Sequence, residues 1–282
     1  MDRSVTSRDS YLAVFATVTV AATYGVMFGD GHLIYGLAGK EQIFEHLSAW
    51  LFLLASIQVF AAVLLHRRTS RGNYSSNGGG RMRTIAYLGL GLFFFVAFGE
   101  ELSWGQHYLG FETPALIESV NEQKELNLHN LSFIDSNADG SKRSDLLGKL
   151  LNSNRLFDYI MIGLFILLPV GLGVLPPLRP LADRLGAPRL PWVLGIPLVL
   201  NWMASLASYR WLVRVEPLHL EGLRHMATSE IRELNYALLC TLGMTTLLFV
   251  EIRRAAAKAR GSAETVGASN DIEENTPPTA DE

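Results

Sequence analysis

The sequence predicts an all-α fold, a polytopic membrane bundle of about six transmembrane helices. Three observations carry this. Apolar residues make up 49% of the chain against 18% charged, and they are concentrated in long blocks. Six blocks hold no Asp, Glu, Lys, Arg or His: 10–29, 47–65, 84–99, 160–178, 190–209 and 234–250. Arginine-rich connections recur after every second block, as in a chain threaded back and forth through a bilayer. Crossing a hydrocarbon core takes about 20 helical residues, so blocks of this length read as spans.

The spans are placed at about 10–29, 47–65, 84–103, 158–178, 190–209 and 234–251 within a membrane domain of 1–260. The first block follows a segment of mixed charge (Asp2, Arg3, Arg8, Asp9) with no small-residue cleavage site, so it reads as a retained span. Arg67, Arg68, Arg71, Arg81 and Arg83 follow the second block, Arg179, Arg184 and Arg189 the fourth, and Arg253, Arg254, Lys258 and Arg260 the sixth. The positive-inside tendency puts these connections, and both termini, on the cytoplasmic face of the cell membrane. A long extracytoplasmic loop then covers about 104–156. Residues 69–80, rich in Gly, Ser and Asn, read as a flexible linker, and the acidic segment 261–282 as an unstructured cytoplasmic tail. The single cysteine, Cys240, excludes an internal disulfide and a cysteine-built zinc site. Short basic loops at a membrane surface give no reason to expect nucleic acid as a partner.

The third block carries the functional question. At 1.5 Å per residue it covers only about 24 Å, so its helix must run past Gly99, to about Leu109, or the bilayer must thin. Glu100 and Glu101 then stand at the membrane edge near a helix C-terminus, where the macrodipole disfavours carboxylates. Glu41 and Glu45, and Glu230 and Glu233, stand at helix N-termini instead, where the dipole alone accounts for them. On a continuous helix Glu100, Ser103, Trp104 and His107 share one face. Beyond them, Pro114 can open a short helix with Thr113 as its N-cap, and NEQKELNLHN follows. There Leu126, Leu128 and Leu131 alternate with Asn127, His129 and Asn130, which suggests a segment packed down with one polar face.

The stretch GEELSWGQHYLGFETP with NEQKELNLHNL resembles a family of uncharacterised bacterial multi-pass membrane proteins. The pattern falls on Glu100, Glu101, Ser103, Trp104, Gly105, Gln106, Thr113, Pro114, Asn121, Gln123, Glu125, Asn127, His129 and Asn130, and departs at His107, where the family has Arg. The resemblance implies that these residues act together and names no reaction. GEELSWGQHYLG is also similar in outline to the Glu-Glu-x-x-x-Arg-Gly motif of CAAX-type intramembrane proteases, but Gly105 takes the Arg position and no membrane Phe-x-x-x-His follows.

The leading expectation is a membrane-embedded enzyme, a hydrolase or transferase, acting at the outer face on a lipid or lipid-linked substrate. Glu100, Glu101 and His129 would be its catalytic residues, and Ser103, Trp104, Gln106, Asn127, Asn130 and Arg210 would bind substrate. A divalent metal would be held by Glu100, Glu101, His107 and His129. Arg210 and Arg214 are also candidate counter-charges for the acid pair. Two other classes remain open: a proton-coupled transporter using the acid pair, with Asn201 as a polar residue inside the fifth span, and a non-catalytic scaffold. No phosphate-binding glycine loop, nucleophile elbow or desaturase histidine box is present.

Overall fold

The computed structural model describes residues 7–39, 41–70, 79–119, 121, 124–127, 153–215 and 221–274. Among them there is no β-strand element, and six helices are long and apolar enough to cross a membrane. They form an all-α polytopic membrane bundle. α1 is Ser7–Gly25, closed by a 3-10 turn at Val26–Phe28. The short α2 (Gly31–Ala38) starts where Asp30 caps it, its carboxylate accepting from the Leu33 N–H at 2.8 Å. α3 (Ile43–Ser70) has Glu45 in its first turn and Arg67 and Arg68 in its last, matching the helix dipole at both ends. α4 is Gly79–Glu101, and the short α5 (Gln106–Leu109) and α6 (Ala115–Glu118) follow it. α7 (Ser153–Ile162) and α8 (Leu168–Val174) make one span through a π-helical stretch at Gly163–Leu167. Pro169, lacking an N–H, sits just past it, where the ordinary ladder must change. α9 (Leu178–Leu185), α10 (Gly195–Val215) and the long α11 (Glu221–Glu274) complete the chain.

α11 packs along α3, and α3 along α4, so these three make the centre of the bundle. Small buried residues such as Ala55, Ala62 and Ala237 let the helices approach closely, while Phe52, Phe94, Phe165 and Met244 fill the space between them. Large apolar side chains such as Phe15, Ile57, Leu92 and Trp202 point outward, as a surface facing lipid tails requires.

Two boundaries differ from the sequence reading. α4 does not continue to Leu109 but ends at Glu101, because the backbone turns left-handed at Ser103. The final helix continues through the expected unstructured tail as far as Glu274. Its run Arg253–Arg260 is rich in Ala, Arg and Lys, all strong helix formers, and the helix propagates from it. Of the expected linker 69–80, Thr69 and Ser70 belong to α3 and Gly79 and Gly80 to α4, and residues 71–78 lie outside the described residues.

Candidate functional site

The motif at the end of α4 is built on three consecutive left-handed residues: Ser103 (φ 45°), Trp104 (φ 54°) and Gly105 (φ 80°). Only the glycine adopts this conformation without strain; for the other two it costs about 1–2 kcal/mol each. The turn folds Trp104 back over α4, where its ring occupies the space a Cβ on Gly99 would need, 2.8 Å away. Trp104 Nε1 then donates to Glu100 Oε1 at 2.8 Å. The expected common face of Glu100, Ser103, Trp104 and His107 is therefore absent, since it required an unbroken helix. Glu100 and Trp104 still meet, but through the turn.

The hydrogen bonds in this loop explain the strain. Ser103, Asn121, Glu125 and Asn127 are all buried. Ser103 Oγ donates to Glu125 Oε2 at 2.8 Å, and Asn127 Nδ2 donates to the same oxygen at 3.2 Å. Asn121 Nδ2 holds the Asn127 carbonyl and its side-chain oxygen, both at 2.8 Å. Gln106 clamps two further strands of the loop: its Nε2 donates to Thr113 Oγ1 at 2.7 Å, and its Oε1 accepts from the Leu126 N–H at 2.8 Å. Thr113 passes its own proton to the Lys124 carbonyl at 2.7 Å and so does not cap α6, which begins after Pro114 without a side-chain cap. Ser103, Gln106 and Asn127, expected to face substrate, use these groups to close the loop.

Glu101 points the other way, into the bundle. Ser48 of α3 reaches its Oε2 at 3.2 Å and the Glu45 carbonyl at 2.8 Å. The electrostatic neighbours of Glu101 are Glu233, Glu230 and Glu45, from α11 and α3. Glu45 Oε2 accepts from the Glu41 N–H at 2.5 Å, and Ser229 donates to Glu233 at 3.0 Å. Helix-dipole reasoning sets these acids aside as N-terminal residues, and that is why the sequence does not single them out; α11 begins at Glu221, so Glu230 and Glu233 in fact stand well inside the helix, where the dipole does not account for them. The available signal was topological: the start of the second span, the end of the third and the start of the sixth all lie at one end of a threaded bundle. Beside the cluster, Tyr108 Oη lies 3.0 Å from His46 Nδ1.

Just below the acids, α11 carries a buried polar network. Asn235 Nδ2 donates to Thr23 Oγ1 and to Asn201 Oδ1, each at 2.9 Å. Tyr24 donates to Asn201 at 3.0 Å, and Asn201 Nδ2 reaches the Arg232 carbonyl at 3.2 Å. Asp158 takes Tyr236 Oη at 2.5 Å and lies 3.9 Å from Arg232. Asn201 is thus placed inside the bundle, as the sequence suggested, and joins α1, α10 and α11.

The remaining candidates fall as follows. Arg210 is exposed on α10, and among the described residues no ion pair joins it to Glu100 or Glu101. The backbone of His107 lies in α5. His129 and Asn130 lie outside the described residues. Among the described residues, no group of three or more His, Cys, Asp or Glu is arranged to hold a metal ion. No family model, curated protein or solved structure matches the chain.

Proposed function

We propose that the protein is a proton-coupled carrier of the cell membrane, with both termini cytoplasmic, and that Glu101 with Glu45, Glu230 and Glu233 forms its outer proton-loading site. The observation that supports this reading is the set of carboxylates around Glu101. Carboxyls crowded at a membrane edge relieve their repulsion by taking up protons or cations. Polar groups continue from this cluster along α11. Arg232, Asn235 and Tyr236 come first; Thr241 then donates to the Leu51 carbonyl at 2.8 Å, and Gln58 to Thr245 at 2.9 Å. From Glu233 to Glu251 this helix rises about 27 Å, the thickness of a hydrocarbon core.

One observation favours a second reading. Glu45, Glu100, Glu101, Glu230 and Glu233 are only half-buried, so the cluster is open at its end of the bundle. An enzyme acting on a lipid-linked substrate would use the same acids, with Glu100 or Glu101 as general base and His129 or a divalent metal as a helper. The family resemblance of the motif is compatible with either.

The test is a pH jump applied to reconstituted protein on a solid-supported membrane. Proton loading within the membrane field gives a charge-displacement transient that is lost in Glu101→Gln and kept in Lys124→Gly. A transient that survives Glu101→Gln overturns the assignment. Turnover of an added lipid-linked substrate that depends on Glu101, without a transient, replaces it with the enzyme reading.

A further inference from the structure

A second titratable cluster lies at the opposite end of α11, away from Glu101. Glu251 is fully buried, and His66 of α3 is 6% exposed. Among the described residues His66 is the buried histidine. A buried carboxylate in a membrane helix is costly unless it is paired, and partners come from α3, α4 and α11 itself. Tyr87 Oη of α4 donates to Glu251 Oε1 at 3.3 Å, and Arg254 bonds the same oxygen. Glu251 Oε2 has no hydrogen-bond partner; His66 Nδ1 stands 3.6 Å from it, at ion-pair distance but beyond a hydrogen bond. The other ring nitrogen, Nε2, lies 3.2 Å from the Gly80 carbonyl of α4.

Both nitrogens of His66 therefore face acceptors, one a carbonyl and one a carboxylate. A neutral imidazole has one N–H and serves one of them; an imidazolium serves both. We infer that His66 and Glu251 form a proton-binding site, and that a proton bound there fastens α3, α4 and α11 together. The surrounding charges make the site responsive. Arg83 of α4 and Arg254 of α11 oppose a positive His66, although Arg83 also leans on Asp183 of α9 at 3.7 Å. Lys258 of α11 bonds the Thr69 carbonyl at the end of α3. Arg8 of α1 stacks over Phe249 at 4.0 Å, about 200° around α11 from Glu251. Against these cations stand the Glu251 carboxylate and the Gly80 carbonyl, so the contact depends on whether the second proton is present. This geometry is independent of the Glu101 cluster and holds whether or not that cluster loads protons.

The test is pulsed electron-spin distance measurement between nitroxides at the exposed positions Arg67 of α3 and Ala257 of α11, in full-length protein. The expected result is a distance distribution that broadens reversibly as the pH is raised and the shared proton leaves the pair. Leu92→Ala, on the outward surface of α4 and away from the pair, retains the response, whereas His66→Gln and Glu251→Gln each abolish it. A wild-type distribution that ignores pH overturns the inference without reference to any variant, and so does a response that persists in a folded His66→Gln protein.

Discussion

The two halves of one motif treat their polar groups in opposite ways. In the loop, Ser103, Asn121, Glu125 and Asn127 are buried and matched donor to acceptor. Two residues away, Glu101 is turned into the bundle among three other carboxylates. Paired-off polar groups make a rigid structure, and crowded like charges make a site that answers to protons or cations. The strained backbone at Ser103 and Trp104 separates the two: it sends Ser103 to the loop and leaves Glu100 and Glu101 on the helix. One run of polar residues is thus split into groups that build the loop scaffold and a carboxylate that joins a cluster of its own kind.

The sharpest way to break this division is Asn127→Ala. It removes partners of Asn121, Ser103 and Glu125 at once and leaves buried groups unpaired. We expect a loss of about 2–3 kcal/mol in loop stability, read as faster proteolysis within the loop while the spans stay protected. Next comes Gly99→Ala. The added methyl meets the Trp104 ring at 2.8 Å, so the ring is displaced from Glu100, at a cost of about 1–3 kcal/mol and a change in tryptophan fluorescence. Asn235→Ala, which unlinks α11 from Thr23 and Asn201, should lower stability by about 1 kcal/mol in a mild-detergent melt, the scale of inter-helix hydrogen bonds in membranes. The smallest effect has the opposite sign. Lys124 is exposed with φ 58°, and Lys124→Gly relieves that strain, for a gain of up to about 1 kcal/mol by the same melt.

The spans were readable because apolar length and charge-free blocks are local properties of the sequence. The oddity of Glu100 and Glu101 was readable too, since a short span ending in two acids conflicts with the helix dipole. What was hidden is tertiary. Nothing in Ser or Trp announces a left-handed turn; it holds because Glu125 and Asn127 lie across from it. Glu45 satisfies a local rule in the first turn of α3, and the sequence offers the same explanation for Glu230 and Glu233 although α11 begins at Glu221; that apparent local adequacy conceals their convergence on Glu101. His66 and Glu251 lie far apart in sequence, and no motif links them; only the packing of α11 along α3 brings them together.

The central claim is that the Glu101 cluster holds a proton as part of its working state. The most direct measurement is infrared spectroscopy of the purified protein at neutral pH, following the C=O stretch of protonated carboxyl groups in wild type and in Glu101→Gln. The account predicts a protonated-carboxyl band in the wild type that is lost or reduced in the variant while the protein remains folded. A wild-type spectrum showing only ionised carboxylates, or a band untouched by Glu101→Gln, would contradict it.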